Sequence, residues 1–357
     1  MTVRRTLHMA GAVLGPLMLL ASTLSSQSRL VPAPPARLAG SGLYSDFAAR
    51  TIAPANQVYS PQYPLWSDGA GKKRWISLPP ARTIDASRVD EWVFPVGTKL
   101  WKEFSFGRKV ETRYITKVAT GEWTYASYAW NEDETDAVLV PARGLPNHYE
   151  IAPGVRHNIP GVDDCKACHE GQGRDVVLGF KALQLSPDRD SMAPNAEPFV
   201  PGMIDLTSLI GRRRLANMPA RFTGTPPRIA APSPRARAAL GYLDANCGGC
   251  HNAADSLSSV GLVLKHALDA TPGEAQLALQ TAVGQRSQFE IPGLGAEQSY
   301  RILPGDPSKS SVVYRMGSRN PYQQMPPLGT KMVDQQALAL VSSWIREDLA
   351  GTAGPVK

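Results

Sequence analysis

Four cysteines are all this chain has, and every one falls in the same pattern, Cys-x-x-Cys-His. The first copy is Cys165-Lys166-Ala167-Cys168-His169 and the second is Cys247-Gly248-Gly249-Cys250-His251. Two residues between the thiols let both project to one side of a helical turn, and the next residue adds an imidazole to that turn. This is the spacing of covalent c-type haem attachment. The thiols add to the two vinyl groups of the porphyrin, and the histidine reaches the iron from the proximal side. Cys165, Cys168, Cys247 and Cys250 are therefore the candidate attachment points for two covalently bound haem c groups, with His169 and His251 as iron ligands. Disulfides or a zinc site are the competing readings. Zinc ribbons space their paired knuckles by roughly 15–20 residues. Here the motifs start 82 positions apart (247 − 165), and an all-thiolate knuckle has no use for a repeated histidine. A thioredoxin-like dithiol needs a βαβ context, which the sequence lacks.

The N-terminus fits that chemistry. Arg4 and Arg5 precede an apolar run from Leu7 to Ala21, broken by Gly11, Gly15 and Pro16 and followed by Ser22-Thr23-Leu24-Ser25-Ser26. A basic start, a short apolar run and a small-residue exit predict a secretory signal over 1–26. A membrane span wants about 20 apolar residues, so membrane association is expected only if the segment stays uncleaved. Haem c is attached outside the cytoplasm, and the expected address is the periplasm. The formal charge of +7 favours an acidic redox partner or a membrane surface. No nucleic-acid partner is expected, because no Lys/Arg cluster is interleaved with aromatics; Arg212-Arg213-Arg214 reads as a solvated helix end.

The predicted fold class is α+β. A flexible linker is expected over 27–40, carrying Pro32, Pro34 and Pro35. Six of the seven tryptophans fall in 41–155 (Trp66, Trp75, Trp92, Trp101, Trp123, Trp130). Alternation in Val110 to Val118 and in Trp123 to Trp130, around Ala119-Thr120-Gly121-Glu122, predicts a hairpin. The block reads as an antiparallel β domain, sandwich or barrel, whose aromatics mainly fill a core. A first haem module is expected over 156–218, a Pro-rich linker over 219–235, and a helical module over 236–350. Asp68, Glu91, Asp133 and Asp136 show no spacing that demands a role.

Ala236 to Asn246 reads as a helix entering the second motif. Asp334 to Leu349 is amphipathic, with Leu338, Val341, Trp344, Ile345 and Leu349 on one stripe. Between them lies Gln324-Met325-Pro326-Pro327-Leu328-Gly329-Thr330. In that order of helix, motif, methionine loop and helix, 236–350 resembles a class I cytochrome c domain. The resemblance implies Met325, 74 residues after His251 (325 − 251), as the sixth iron ligand. Proline fixes φ and removes a donor, so Met-Pro-Pro cannot relapse into helix. Met316 and Met332 are the neighbouring methionines that a core role would claim. Leu303-Pro304-Gly305-Asp306-Pro307-Ser308-Lys309-Ser310 and Met325-Pro326-Pro327-Leu328-Gly329 are similar to cytochrome domains fused to bacterial periplasmic dehydrogenases. Over about 40–350 the chain resembles a family of bacterial periplasmic dihaem c-type cytochromes. The residues that carry this are Tyr63-Pro64-Leu65-Trp66-Ser67-Asp68-Gly69-Ala70, Phe94-Pro95-Val96-Gly97-Thr98, Trp130-Asn131-Glu132-Asp133 and the first motif. That resemblance implies two haems and a periplasmic location, and leaves the substrate open.

The sixth ligand of the first haem is open. Met218, followed by Pro219 and lying 49 residues after His169 (218 − 169), is the first choice; Met203, Met192, His157 and His148 are its rivals. Two functions follow. One is single-electron transfer between a periplasmic redox protein, such as a dehydrogenase or another cytochrome, and a downstream acceptor. The other is a dihaem peroxidase- or oxidase-like enzyme with one five-coordinate haem.

Overall fold

Alternation of apolar and polar side chains builds one large antiparallel sheet. The computed structural model describes residues 32–170, 173–254, 257–268 and 277–351; the expected signal segment lies outside them. In chain order the first strands are β1 (Tyr44–Asp46), β2 (Thr51–Ile52), β3 (Gln57–Val58), β4 (Gly71–Ser77), β5 (Ile84–Asp85), β6 (Lys99–Phe106), β7 (Arg108–Ala119), β8 (Glu122–Trp130), β9 (Ala137–Leu139), β10 (Leu145–Ala152) and β11 (Val155–Ile159). Six of them form a sheet in the order β3-β4-β6-β7-β8-β9. The predicted hairpin is β7–β8, turning at Gly121 with φ 74°. In place of a sandwich or barrel there is this one sheet, with three two-stranded pairs beside it among the described residues.

The two faces of the sheet have separate cores, as period-2 alternation requires. Trp75, Trp101, Tyr114 and Ala126 stand in register across four strands. They are buried under Leu38, Leu43 and Tyr44. Residues 33–41 are thus not the flexible linker expected. Leu38 is fully buried, Tyr128 Oη donates to Pro35 O at 3.0 Å, and Leu139 N to Ala36 O at 2.9 Å. An apolar anchor and pairing along the β9 edge hold the segment down. The opposite face carries Ile76 and Leu100, which pack with Trp92, Phe94, Phe180, Leu185, Leu206 and Leu209.

Helices follow: α1 (Val162–His169), α2 (Leu206–Gly211), then strand β12 (Leu215–Ala216), α3 (Arg221–Gly224), α4 (Pro234–Asn246), α5 (Leu277–Ala282), α6 (Ser311–Gly317) and α7 (Gln335–Ser343), which runs on into a wide π turn at Trp344–Asp348. The 156–218 stretch has no core of its own. Phe180, Leu185 and Leu206 share that of the sheet, and β12 pairs in parallel with β5. The Pro-rich 219–235 stretch is packed rather than loose, with Ile229 fully buried in the C-terminal core. That core joins α4 to α7 and its π turn through Leu243, Val341, Trp344 and Ile345, on the stripe read from the sequence. Ser233 Oγ accepts from Ala236 N at 3.0 Å, and Asp334 Oδ1 from Ala337 N at 3.0 Å. These are N-caps for α4 and α7. No helix among the described residues is long and apolar enough to cross a membrane.

Candidate haem-attachment sites

The first motif occupies the last turns of α1. Asp163 and Asp164 sit in its first turn, where the helix dipole favours acids. Asp164 Oδ2 accepts from Gly161 N at 2.9 Å, which closes the N-terminus. Cys165, Cys168 and His169 fall at i, i+3 and i+4, so they share the half-buried side of the helix, while Lys166 and Ala167 face solvent. The helix packs on β8, and the His169 ring centroid lies 5.8 Å from that of Tyr125.

His169 is held in one tautomer. Its Nδ1 donates to Val176 O at 2.7 Å, because a carbonyl can only accept. Nε2 is left as the bare lone pair that a metal takes. Burial pushes the imidazole down to about 4, and the Val176 bond offsets only part of this, so the ring is neutral at pH 7. The carbonyl itself is supported by its neighbour. Buried Asp175 accepts from Phe94 N at 2.8 Å, from Lys117 Nζ at 2.7 Å and from Trp123 Nε1 at 2.5 Å.

The second motif begins where α4 ends. Cys247 N bonds Leu243 O at 2.9 Å, and His251 N bonds Cys247 O at 2.8 Å, so the motif is a tight turn on the helix end. Gly248 is required there, since a Cβ would come within 2.7 Å of Asp244 O and 2.8 Å of Lys265 Cα. Burial pushes the Cys247 thiol up to about 12. Cys247 and Met325 line one narrow cleft with Trp66, Tyr242, Met316 and Arg319. Met325 N donates to Arg315 O at 2.9 Å. His251 is kept neutral first by burial, then by Arg315 and Arg301. Its Nδ1 is buried without a hydrogen-bond partner among the described residues.

Other sequence candidates fall elsewhere. Met218 is half-buried in the wall of the apolar core around Phe94 and Phe180. His157 is buried with Nε2 3.0 Å from Glu111 Oε1. His148 lies on the paired strand β10, and Met192 is exposed. Sequence reasoning missed two residues that shape the second cleft. Trp66 forms one wall: its Nε1 donates to Met332 O at 3.0 Å, and its N to Asn246 Oδ1 at 2.7 Å. Asp68 Oδ1 accepts from both Lys331 N and Met332 N at 2.8 Å. Contacts across 180 to 266 positions leave no spacing signal.

The donor sets fit the group the motifs imply. None of the four cysteines is in a disulfide. No three His, Cys, Asp or Glu side chains converge as a metal-holding cluster among the described residues. The regions around the motifs touch: Lys181 Nζ lies 3.1 Å from Asp244 Oδ2, and Lys265 Nζ 3.1 Å from Glu91 Oε1. No family model, no curated protein and no solved structure matches this chain.

Proposed function

We propose that this chain is a periplasmic dihaem c-type cytochrome that passes single electrons between a redox protein and a downstream acceptor. The observation that carries the reading is the second cleft. There Cys247 and Met325, far apart in sequence, line one space, and His251, four residues on from Cys247, is kept neutral by burial. When bound, each haem iron takes up and returns one electron, at a potential set by its ligands and burial. The chain's own part is to hold those ligands. In the first site Val176 O keeps the His169 proton on Nδ1. In the second, the Arg315 carbonyl anchors the Met325 backbone and Trp66 covers the cleft. Helical cytochrome c-like packing belongs to the same proposal, supported by α4, which leads into the second motif, packing on α7.

The test is to produce the mature chain in a host equipped for haem ligation and extract it with acid-acetone. Pigment that stays with the protein, followed by two resolved waves in a potentiometric titration, is the expected result; colourless protein overturns the reading. The enzyme alternative draws on one observation: Met218 and His157 are engaged elsewhere, in an apolar core and with Glu111. Carbon monoxide added to the reduced protein decides between them. A Soret band that does not move at either haem removes the open-site enzyme.

A further inference from the structure

The sheet face beside the first motif carries a row of cations. Arg74 on β4, Lys102 on β6 and Arg113 on β7 are direct register partners, and Ser127 on β8 continues the row. Like charges directly opposed on one face destabilise a sheet, so the row needs compensating anions. Arg74 has Glu197 at 2.5 Å, and Arg113 has Glu111 at 2.6 Å. Lys102 has no such partner: its ammonium lies 4.8 Å from the Phe104 ring centroid, and no carboxylate or carbonyl bonds it among the described residues.

Unused donors gather at the same place. The Arg74 side chain is only 5% exposed, yet its Nη2 is buried with no partner. The hydroxyls of Ser127 and Tyr125 are likewise buried and unpartnered. A buried donor without an acceptor is costly, so several in one patch point to a seat for an acceptor. The patch adjoins α1. Cys165, Cys168 and His169 share the half-buried side of α1, which packs on β8, the strand that carries Ser127 and Tyr125. Tyr125 is the ring beside His169.

We infer that Arg74, Lys102 and Arg113, with the hydroxyls of Ser127 and Tyr125, form a carboxylate seat that receives the propionates of the haem attached at Cys165 and Cys168. This rests on the haem reading above. It makes the β sheet part of the first haem's binding site, with Lys102 at its edge, where burial and Arg74 hold the ammonium well below its ordinary value and a carboxylate would restore its charge. Carboxylates have a second possible source, a free organic anion, and the test separates the two.

The experiment is a potentiometric titration of the pigmented full chain, comparing wild type with Lys102→Gln, Lys102→Arg and Ser127→Ala. Reduction adds one negative charge to the haem, so a nearby cation favours the reduced state. Lys102→Gln should lower the first wave by about tenfold in its one-electron equilibrium, ~59 mV, and leave the second wave in place. Lys102→Arg should restore the wild-type value, and Ser127→Ala should shift the first wave down by less. If Lys102→Gln does not accumulate, the other two variants read the same wave. A first wave unmoved by Lys102→Gln and Ser127→Ala, in protein that carries both haems, overturns the inference. A wild-type first wave that tracks added citrate at constant ionic strength overturns the propionate assignment in favour of a free anion. Colourless protein sinks the haem reading instead, a distinct failure.

Discussion

At the residue scale, the two histidines show how little local sequence says about fine tuning. Both motifs present the same five-residue pattern, yet His169 Nδ1 has the Val176 carbonyl while His251 Nδ1 has no partner among the described residues. A hydrogen bond of this kind fixes ring orientation and raises ligand basicity, so the two sites differ in electronics from identical motifs. If the proposed haem sits at the second motif, Met325→Ala should turn it high-spin and drop its wave by more than the ~59 mV of a tenfold change, because Met/His ligation raises potential. Spectra and potentiometry read both, and an unchanged wave would pass the ligand role to Met316, which lines the same cleft.

Glu111 makes a second residue-scale prediction. Burial alone would raise its carboxyl, but Arg113 and the His157 hydrogen bond outweigh burial and hold it below its ordinary 4.5. A depressed carboxyl stabilises the fold above its unfolded value, and that stability is lost as pH falls through the folded value. Glu111→Gln should therefore lower Tm at pH 7 and flatten its fall below about pH 4.5. Thermal melts from pH 7 to 3 check this; parallel wild-type and variant curves would refute it.

Among the elements, those with a clear period were legible. The aromatic-rich run from Trp123 to Trp130 lies in β8, and the Val341-Trp344-Ile345 stripe is the buried side of α7 and its π turn. The strands of two residues were not legible, because two residues carry no period. β12 exists because Leu215 and Ala216 meet β5 across 131 positions (215 − 84). On α4 the tight point is Gly241, where a Cβ would fall 2.2 Å from the Tyr63 ring. Tyr63 cannot move aside freely, since its hydroxyl donates to Asp190 at 2.9 Å. Gly241→Ala should cost about 1–3 kcal/mol by overpacking, against the usual helix gain from replacing glycine. Urea denaturation measures it, and a stabilised variant would show that Tyr63 does not pack there.

For the whole molecule, the link to test is the turn Ser67-Asp68-Gly69-Ala70. Asp68 and Gly69 both have positive φ, 54° and 77°, which bends the chain so that the Asp68 carboxylate meets Lys331 N and Met332 N. Hydrogen bonds to a charged group are worth about 1.5–3 kcal/mol each. Asp68→Asn should therefore lower stability by about 2–3 kcal/mol and expose Trp66, read as a red shift in its fluorescence. Unchanged emission and stability would mean the strap does not hold the cleft closed. It is through this strap that the tryptophan-rich region forms a wall of the second site.

What the sequence alone determined is local chemistry. Two Cys-x-x-Cys-His turns, a methionine held by two prolines, a β hairpin and an amphipathic C-terminal helix all declare themselves within a few residues, because bond geometry and side-chain period act over that range. Tertiary structure alone decided the rest. It put Cys247 and Met325 on one cleft, gave Val176 to His169, lined up Arg74, Lys102 and Arg113, and merged the 156–218 stretch into the core of the sheet. Apart from His169 and Val176, seven residues apart, those pairings join residues distant in the chain through burial and hydrogen bonding, and neither force leaves a spacing in the sequence.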